Sequence, residues 1–172
     1  MKKIVLLAIS FLGFTALTNA QDIADNAIGL RLGDSDGFGA EVSYQRAVGG
    51  DNNRLEFDLG IRNGKNYDGF KLVGLYQWVW NIDGGFNWYV GPGAGVASYS
   101  YDYRVNNGNG NNFIVDENYT FAFLAGDIGI EYNFDIPLMI SLDFRPEFGL
   151  GSSDYRDDNL DFDIGLGIRY QF

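Results

Sequence analysis

The last thirteen residues, Leu160 to Phe172, alternate without exception. Leu160, Phe162, Ile164, Leu166, Ile168, Tyr170 and Phe172 are apolar, whereas Asp161, Asp163, Gly165, Gly167, Arg169 and Gln171 between them are polar or small. A period of two is the signature of a strand, because successive side chains point to opposite sides of the pleat. Ordinary strands run to about 5–6 residues, but a tilted strand needs roughly 9–11 to cross a bilayer. This stretch therefore reads as the closing strand of a barrel, with one face in hydrocarbon and the other enclosed.

Seven earlier segments repeat the pattern. The alternation predicts strands at 27–33, 38–47, 54–62, 70–81, 86–103, 119–134, 138–150 and 160–172. Asp83-Gly84 and Asp135-Ile136-Pro137 supply compact turn chemistry between them. The connectors alternate in length: 48–53, 82–85 and 135–137 are short, and 63–69, 104–118 and 151–159 are longer, with 34–37 the weak member of the longer set. Short turns on one side and longer loops on the other fit a transmembrane barrel. The expected fold is all-β: an eight-stranded antiparallel up-and-down transmembrane β-barrel.

Charge sorts by face. The more apolar face takes the even positions of 28–32, 38–44, 70–80, 86–96, 120–134, 138–150 and 160–172 and the odd positions of 55–61, and none of those positions is charged. The opposite faces carry Arg31, Glu41, Glu56, Asp58, Lys71, Asp143, Arg145, Glu147, Asp161, Asp163 and Arg169, with Asp127 and Glu131 in the same phase. A hydrocarbon-facing surface excludes charge, since Lys or Arg at mid-bilayer costs about 2–4 kcal/mol. Eight strands leave an interior that side chains roughly fill, and stranding a buried charge is costly. The enclosed charges are thus expected to pair into a network that plugs the lumen. Gly91, Gly93, Gly95, Gly165 and Gly167 leave room for a narrow pore as the competing reading.

Met1-Lys2-Lys3 followed by an apolar run to Leu17, then Thr18-Asn19-Ala20, predicts a cleaved signal peptide over 1–20 and a single domain over 21–172. The run is short for a membrane-anchoring helix. The whole chain has 12 Lys+Arg against 23 Asp+Glu, a net charge of −11, which excludes nucleic acid as a partner because phosphate binding needs basic groups. Mean hydropathy is −0.13, which suits a soluble protein and also a barrel whose two faces average out.

Trp78, Trp80, Phe86 and Trp88 gather around the Asp83-Gly84 turn, with Tyr132, Phe134, Tyr170 and Phe172 at matching heights. Amphipathic rings favour the headgroup level, so this group reads as the aromatic girdle on the short-turn side. An aromatic core beneath a soluble hairpin is the alternative. Pro92 and Pro146 fall inside predicted strands, where each removes a ladder donor, so a bulge or bend is expected at both.

Catalysis has little to work with. The chain contains no His and no Cys, which removes the usual proton shuttle and thiolate chemistry. No cofactor or metal is expected; Asp154, Asp157 and Asp158 match no defined calcium loop. Tyr99, Tyr101 and Tyr103 extend the fifth strand past the expected membrane boundary, and the exposed aromatic-lined hairpin they form with the Arg104–Asn118 loop is a candidate sticky surface for an external partner.

With these features together, the chain resembles the small outer-membrane barrels of the OmpA/OmpX type over essentially all of 21–172. Gly167-Ile168-Arg169-Tyr170-Gln171-Phe172 is similar to the C-terminal assembly signal of that class. The resemblance implies that Gly167, Tyr170 and Phe172 are read by the barrel-assembly machinery. Gly165 departs from the pattern, which has a polar residue at that place. The implied protein is a monomeric, non-enzymatic outer-membrane barrel with structural, adhesive or minor transport duties. A lipocalin-like soluble barrel, with an apolar ligand inside and the charged faces in water, is the second reading.

Overall fold

The computed structural model describes residues 23–33, 39–50, 52–63, 67–106, 112–150 and 160–172; at Arg62, Tyr67, 101–106 and 112–117 the description is of the backbone. The expected signal peptide and the acidic group at Asp154, Asp157 and Asp158 lie outside these residues. Eight strands form: β1 Asn26–Leu32, β2 Glu41–Val48, β3 Asn53–Asn63, β4 Tyr67–Asp83, β5 Phe86–Asn106, β6 Asn112–Asn133, β7 Leu138–Leu150 and β8 Leu160–Gln171. Each pairs antiparallel with its neighbours in sequence. β8 then pairs with β1, with Leu30 opposite Ile168, so the sheet is a closed barrel. Asn26 and Phe172 exchange backbone hydrogen bonds of 3.0 and 2.9 Å across that seam. Closure removes the free edges that an open sheet would expose.

The tight turn between β4 and β5 uses Gly84 at φ 50°, a conformation that costs glycine nothing sterically. Its neighbour Gly85 lies against the strand β6, accepting a 2.8 Å hydrogen bond from Asn133 N–H.

Three expectations about the strands change. The Arg104–Asn118 loop is mostly strand: Arg104 pairs with Ile114, Val105 with Phe113 and Asn106 with Asn112, leaving 107–111 outside the described residues. β4 likewise begins at Tyr67 and pairs it with Tyr101, so the 63–69 connector shrinks to 64–66. Both extensions continue a ladder already in register, and each added residue brings its backbone groups into pairing. Neither proline makes a bulge. The β4–β5 ladder passes from Leu75 opposite Gly93 to Trp78 opposite Val90, and β6–β7 from Ala125 opposite Glu147 to Ile128 opposite Phe144, each resuming in the same register. The missing donor skips two pairs and shifts nothing. Pro92 sits opposite Gly126, whose absent side chain also makes room for Pro146.

Side-chain direction follows the alternation. On β8, Asp163, Gly165, Gly167 and Arg169 are buried, and Phe162, Ile164, Leu166, Ile168 and Tyr170 are exposed. The outer surface continues with Ile28, Leu30, Val42, Phe57, Leu72, Leu124, Ile128 and Leu142, all more than a third exposed. A monomeric soluble protein rarely exposes a contiguous apolar surface on this scale. Asp163 and Arg169 point inward, which overturns the lipocalin-like reading, because that reading needs them in water.

Candidate functional site: the enclosed ionic network

Strand parity delivers the charged residues to the lumen, and closure decides which of them meet. Arg31 on β1 is fully buried and holds three carboxylates. Its Nε donates to Asp143 Oδ1 at 2.9 Å, Nη1 donates to Asp163 Oδ2 at 2.6 Å and to Glu41 Oε2 at 3.3 Å, and Nη2 also reaches Asp143 Oδ1. Arg145 on β7 donates through Nη2 to Asp58 Oδ2 at 2.6 Å and through Nη1 to Glu41 Oε2 at 3.4 Å. Glu41 thereby links the two guanidiniums.

A second group lies nearer the short turns. Arg169 on β8 donates through Nε to Ser43 Oγ at 2.8 Å, through Nη1 to Ser141 Oγ at 2.7 Å, and through Nη2 to Glu56 Oε1. Glu56 also accepts from Gln45 Nε2 at 2.7 Å and Gln77 Nε2 at 2.9 Å. Arg54 Nη1 lies 2.7 Å from Glu131 Oε2, while its guanidinium carbon sits 4.7 Å over the Tyr89 ring. Charge-assisted hydrogen bonds such as these are the strong ones, and cation–π contact adds to them when both partners are desolvated.

Toward the longer loops, Lys71 Nζ donates to both oxygens of Glu147 at 2.7 Å and lies 5.2 Å from the Phe123 ring centre. Asp161, also assigned to the interior from sequence, is only half-buried, and Asp161 Oδ1 accepts a 2.9 Å hydrogen bond from Phe162 N–H. Asp161 sits at the mouth, opposite Glu147 in the ladder.

The interior is not polar throughout. Val73, Leu75, Ala97, Tyr99, Phe123 and Ala125 form a buried apolar cluster on β4, β5 and β6, with Phe121 against it. Tyr99, read from sequence as part of an exposed hairpin, is turned inward here; the side chains of Tyr101 and Tyr103 lie outside the described residues. The glycines meant to leave lumen volume are occupied. A Cβ at Gly93 would strike Leu75, at Gly95 Phe123, at Gly165 the Arg31 guanidinium, and at Gly167 Ser141 and Arg169. A Cβ at Gly91 would strike the Tyr76 carbonyl oxygen. Gly165, the departure from the assembly pattern, is thus the position that gives Arg31 its space.

The aromatic residues assigned to the girdle share the outer surface. Trp80 and Trp88 stack with centres 4.5 Å apart, Trp78 packs edge-on against Tyr76 at 5.3 Å, and Phe86 meets Tyr132 at 4.6 Å. Tyr170 and Phe172 stack at 6.2 Å.

Sequence reasoning omitted Arg54, Gln45, Gln77, Ser43, Ser141 and Tyr89 from the network. Their signal was present: Arg54, Gln45, Gln77, Ser43 and Ser141 each occupy the same parity as the inward charged residues of their own strand, and Tyr89 lies on the less apolar face of β5. Attention to formal charge passed over the amides and hydroxyls that complete the donors and acceptors, and Arg54 was passed over as the first residue of its predicted strand.

Ionic side chains inside and hydrocarbon outside, on eight closed antiparallel strands, define an inside-polar, outside-apolar barrel. Two crystal structures share that fold. Neisserial surface protein A (NspA) matches with a TM-score of 0.56 and 14% identity, over 87% of this chain and 94% of that one. The N-terminal β-barrel domain of Pseudomonas aeruginosa OprF matches with a TM-score of 0.52 and 15% identity, over 86% and 95%. The resemblance to small OmpA/OmpX-type barrels therefore holds at the level of the fold. No protein-family model matches the chain, and no curated protein does.

Proposed function

We propose that the chain is an integral outer-membrane barrel, non-enzymatic, with structural or adhesive duties and an interior plugged by its own charged side chains. The observation that carries this reading is the outer surface. Large apolar side chains cover it on all eight strands, and the charged residues along the middle of the strands turn inward, with Arg46, Asp68 and Asp83 exposed toward strand ends. Lipid is the solvent in which such a surface is stable. The plug rests on Arg145, Arg169 and Lys71, which link strands across the lumen, on Arg31, which ties β1 to β2, β7 and β8, and on the occupied glycine positions. A conducting role is correspondingly minor.

Assembly would begin with a signal peptide over 1–20 and use Gly167, Tyr170 and Phe172 as the signal read by the barrel-assembly machinery. Cell fractionation tests both ideas. The full-length protein is expected in the outer-membrane fraction, with a band that changes mobility on boiling. Removing Phe172 should lower the folded fraction several-fold. Recovery of the wild-type protein in soluble periplasm would sink the membrane reading; unchanged assembly without Phe172 would sink only the signal.

An external partner is proposed at the β5–β6 hairpin, where β5 pairs with β6 beyond the last residue β4 contributes to it, Tyr67 opposite Tyr101. Such an extended ribbon offers backbone groups to an incoming strand. Shortening it by deleting 104–114 should abolish adhesion of expressing cells to the cognate surface while leaving heat-modifiability intact. Adhesion equal to wild type would remove the hairpin from consideration.

A further inference from the structure

Six basic residues have described side chains, and five of them, Arg31, Arg54, Lys71, Arg145 and Arg169, are enclosed. The sixth, Arg46 on β2, points the other way. It is exposed, in phase with the outward-facing Val42 and Tyr44, and enters no ion pair or hydrogen bond among the described residues. Asp25, the nearest carboxylate along β1, forms no ion pair with it either. An outward cation is costly at mid-bilayer and stable at the headgroup level.

The ladder gives its depth. Arg46 stands opposite Leu55, and Leu55 opposite Tyr76; two residues nearer the turn, Asn53 stands opposite Trp78. On the other side Arg46 stands opposite Asn26, which exchanges backbone hydrogen bonds with Phe172, and Ile28 stands opposite Tyr170. The aromatic girdle thus arrives from β4 with Tyr76 and Trp78 and from β8 with Tyr170 and Phe172. Between them, on β1 and β2, Asn26, Tyr44 and Arg46 take its place at the headgroup level.

Arg46 is not alone there. The Tyr44 hydroxyl donates to Asn26 Oδ1 at 2.8 Å, which orients the amide with Asn26 Nδ2 turned away from the ring. That Nδ2 makes no hydrogen bond among the described residues. Directly opposed residues of an antiparallel pair have Cβ atoms about 4.5–5.5 Å apart. A guanidinium and an amide NH2, both free to donate, therefore stand side by side on the outer surface, within reach of one oxyanion. Guanidinium–phosphate hydrogen bonds are charge-assisted and can be bidentate.

We propose that Arg46 and Asn26 Nδ2 bind the phosphate of a phospholipid in the leaflet on the short-turn side, with its acyl chains lying toward mid-barrel over Ile28 and Phe57. A free phosphate has the same oxygens, but only a lipid brings chains to the exposed apolar side chains next to the donors. The site rests on the membrane reading and names a ligand within it.

The test is native mass spectrometry of the folded protein in maltoside micelles, with phosphatidylglycerol, diacylglycerol of the same chains, or inorganic phosphate added. Wild type is expected to retain one phosphatidylglycerol and neither of the others. Arg46→Gln should need about fivefold more lipid for the same occupancy, the effect of losing one interfacial cation. Arg46→Lys should fall between them, because an ammonium keeps the charge and loses the fork. Equal retention by wild type and Arg46→Gln overturns the site. So does diacylglycerol held as well as phosphatidylglycerol, or inorganic phosphate bound as tightly as the lipid. Heat-dependent gel mobility reports the folding of each variant separately. A barrel that fractionates with membranes and retains no lipid sinks the site alone and leaves the membrane reading standing.

Discussion

Arg31→Met should be the most damaging single substitution in the interior. Arg31 is the common donor for Asp143, Asp163 and Glu41, so its loss leaves three carboxylates facing one another without it. Removing one partner of a buried ion pair costs about 3–5 kcal/mol, and three partners place this case at the upper end. Measured in lipid vesicles, the urea midpoint should fall sharply. Adding Asp143→Asn to Arg31→Met should recover part of the loss, because the two residues share one interaction and their effects are not additive. A midpoint within experimental error of wild type would mean that the network contributes nothing to holding the barrel closed. Methionine keeps much of the stem's volume, so the comparison isolates charge from packing.

Leu166→Arg should be the largest effect on the outer surface, and it reports on the solvent. Leu166 lies midway along β8, faces outward, and pairs with Leu32 on one side and Leu142 on the other. Facing lipid, an arginine at mid-bilayer depth costs about 2–4 kcal/mol. Facing water, a surface substitution stays within about 0.5 kcal/mol. The same vesicle unfolding measurement separates the two by several-fold. Indifference to this change would contradict the membrane reading even if the protein fractionated with membranes, because association by another route would then be the explanation.

Much of the barrel could be read from the chain because the pleat enforces its own period. Val73, Leu75, Ala97 and Phe123 show where that reading was incomplete. They share the parity of Lys71 and Asp127, and the apolar run Phe121-Ala122-Phe123-Leu124-Ala125 shows both faces of β6 to be greasy at that height. An apolar outer face says nothing about whether the inner face opposite it is polar. The hairpin from Arg104 to Asn118 failed for a different reason. Asn and Gly there lower local strand preference, yet pairing with an adjacent strand in register overrides it. At Pro92 and Pro146 the missing donor suggested a bulge, but the register passes through both, with Gly126 opposite Pro92 and leaving room for the Pro146 ring.

What the sequence by itself determined is the side of the sheet on which each residue falls. Successive side chains alternate because of backbone geometry within a few residues, so Asp163 and Arg169 share a face before any other strand is considered. What only the tertiary structure decided is the pairing. Arg31 meets Asp143 and Asp163 from 112 and 132 residues away, and Arg169 meets Glu56 across 113. Those contacts exist because β8 returns to β1 in one particular register, and a one-residue slip would turn every interior charge toward the outside.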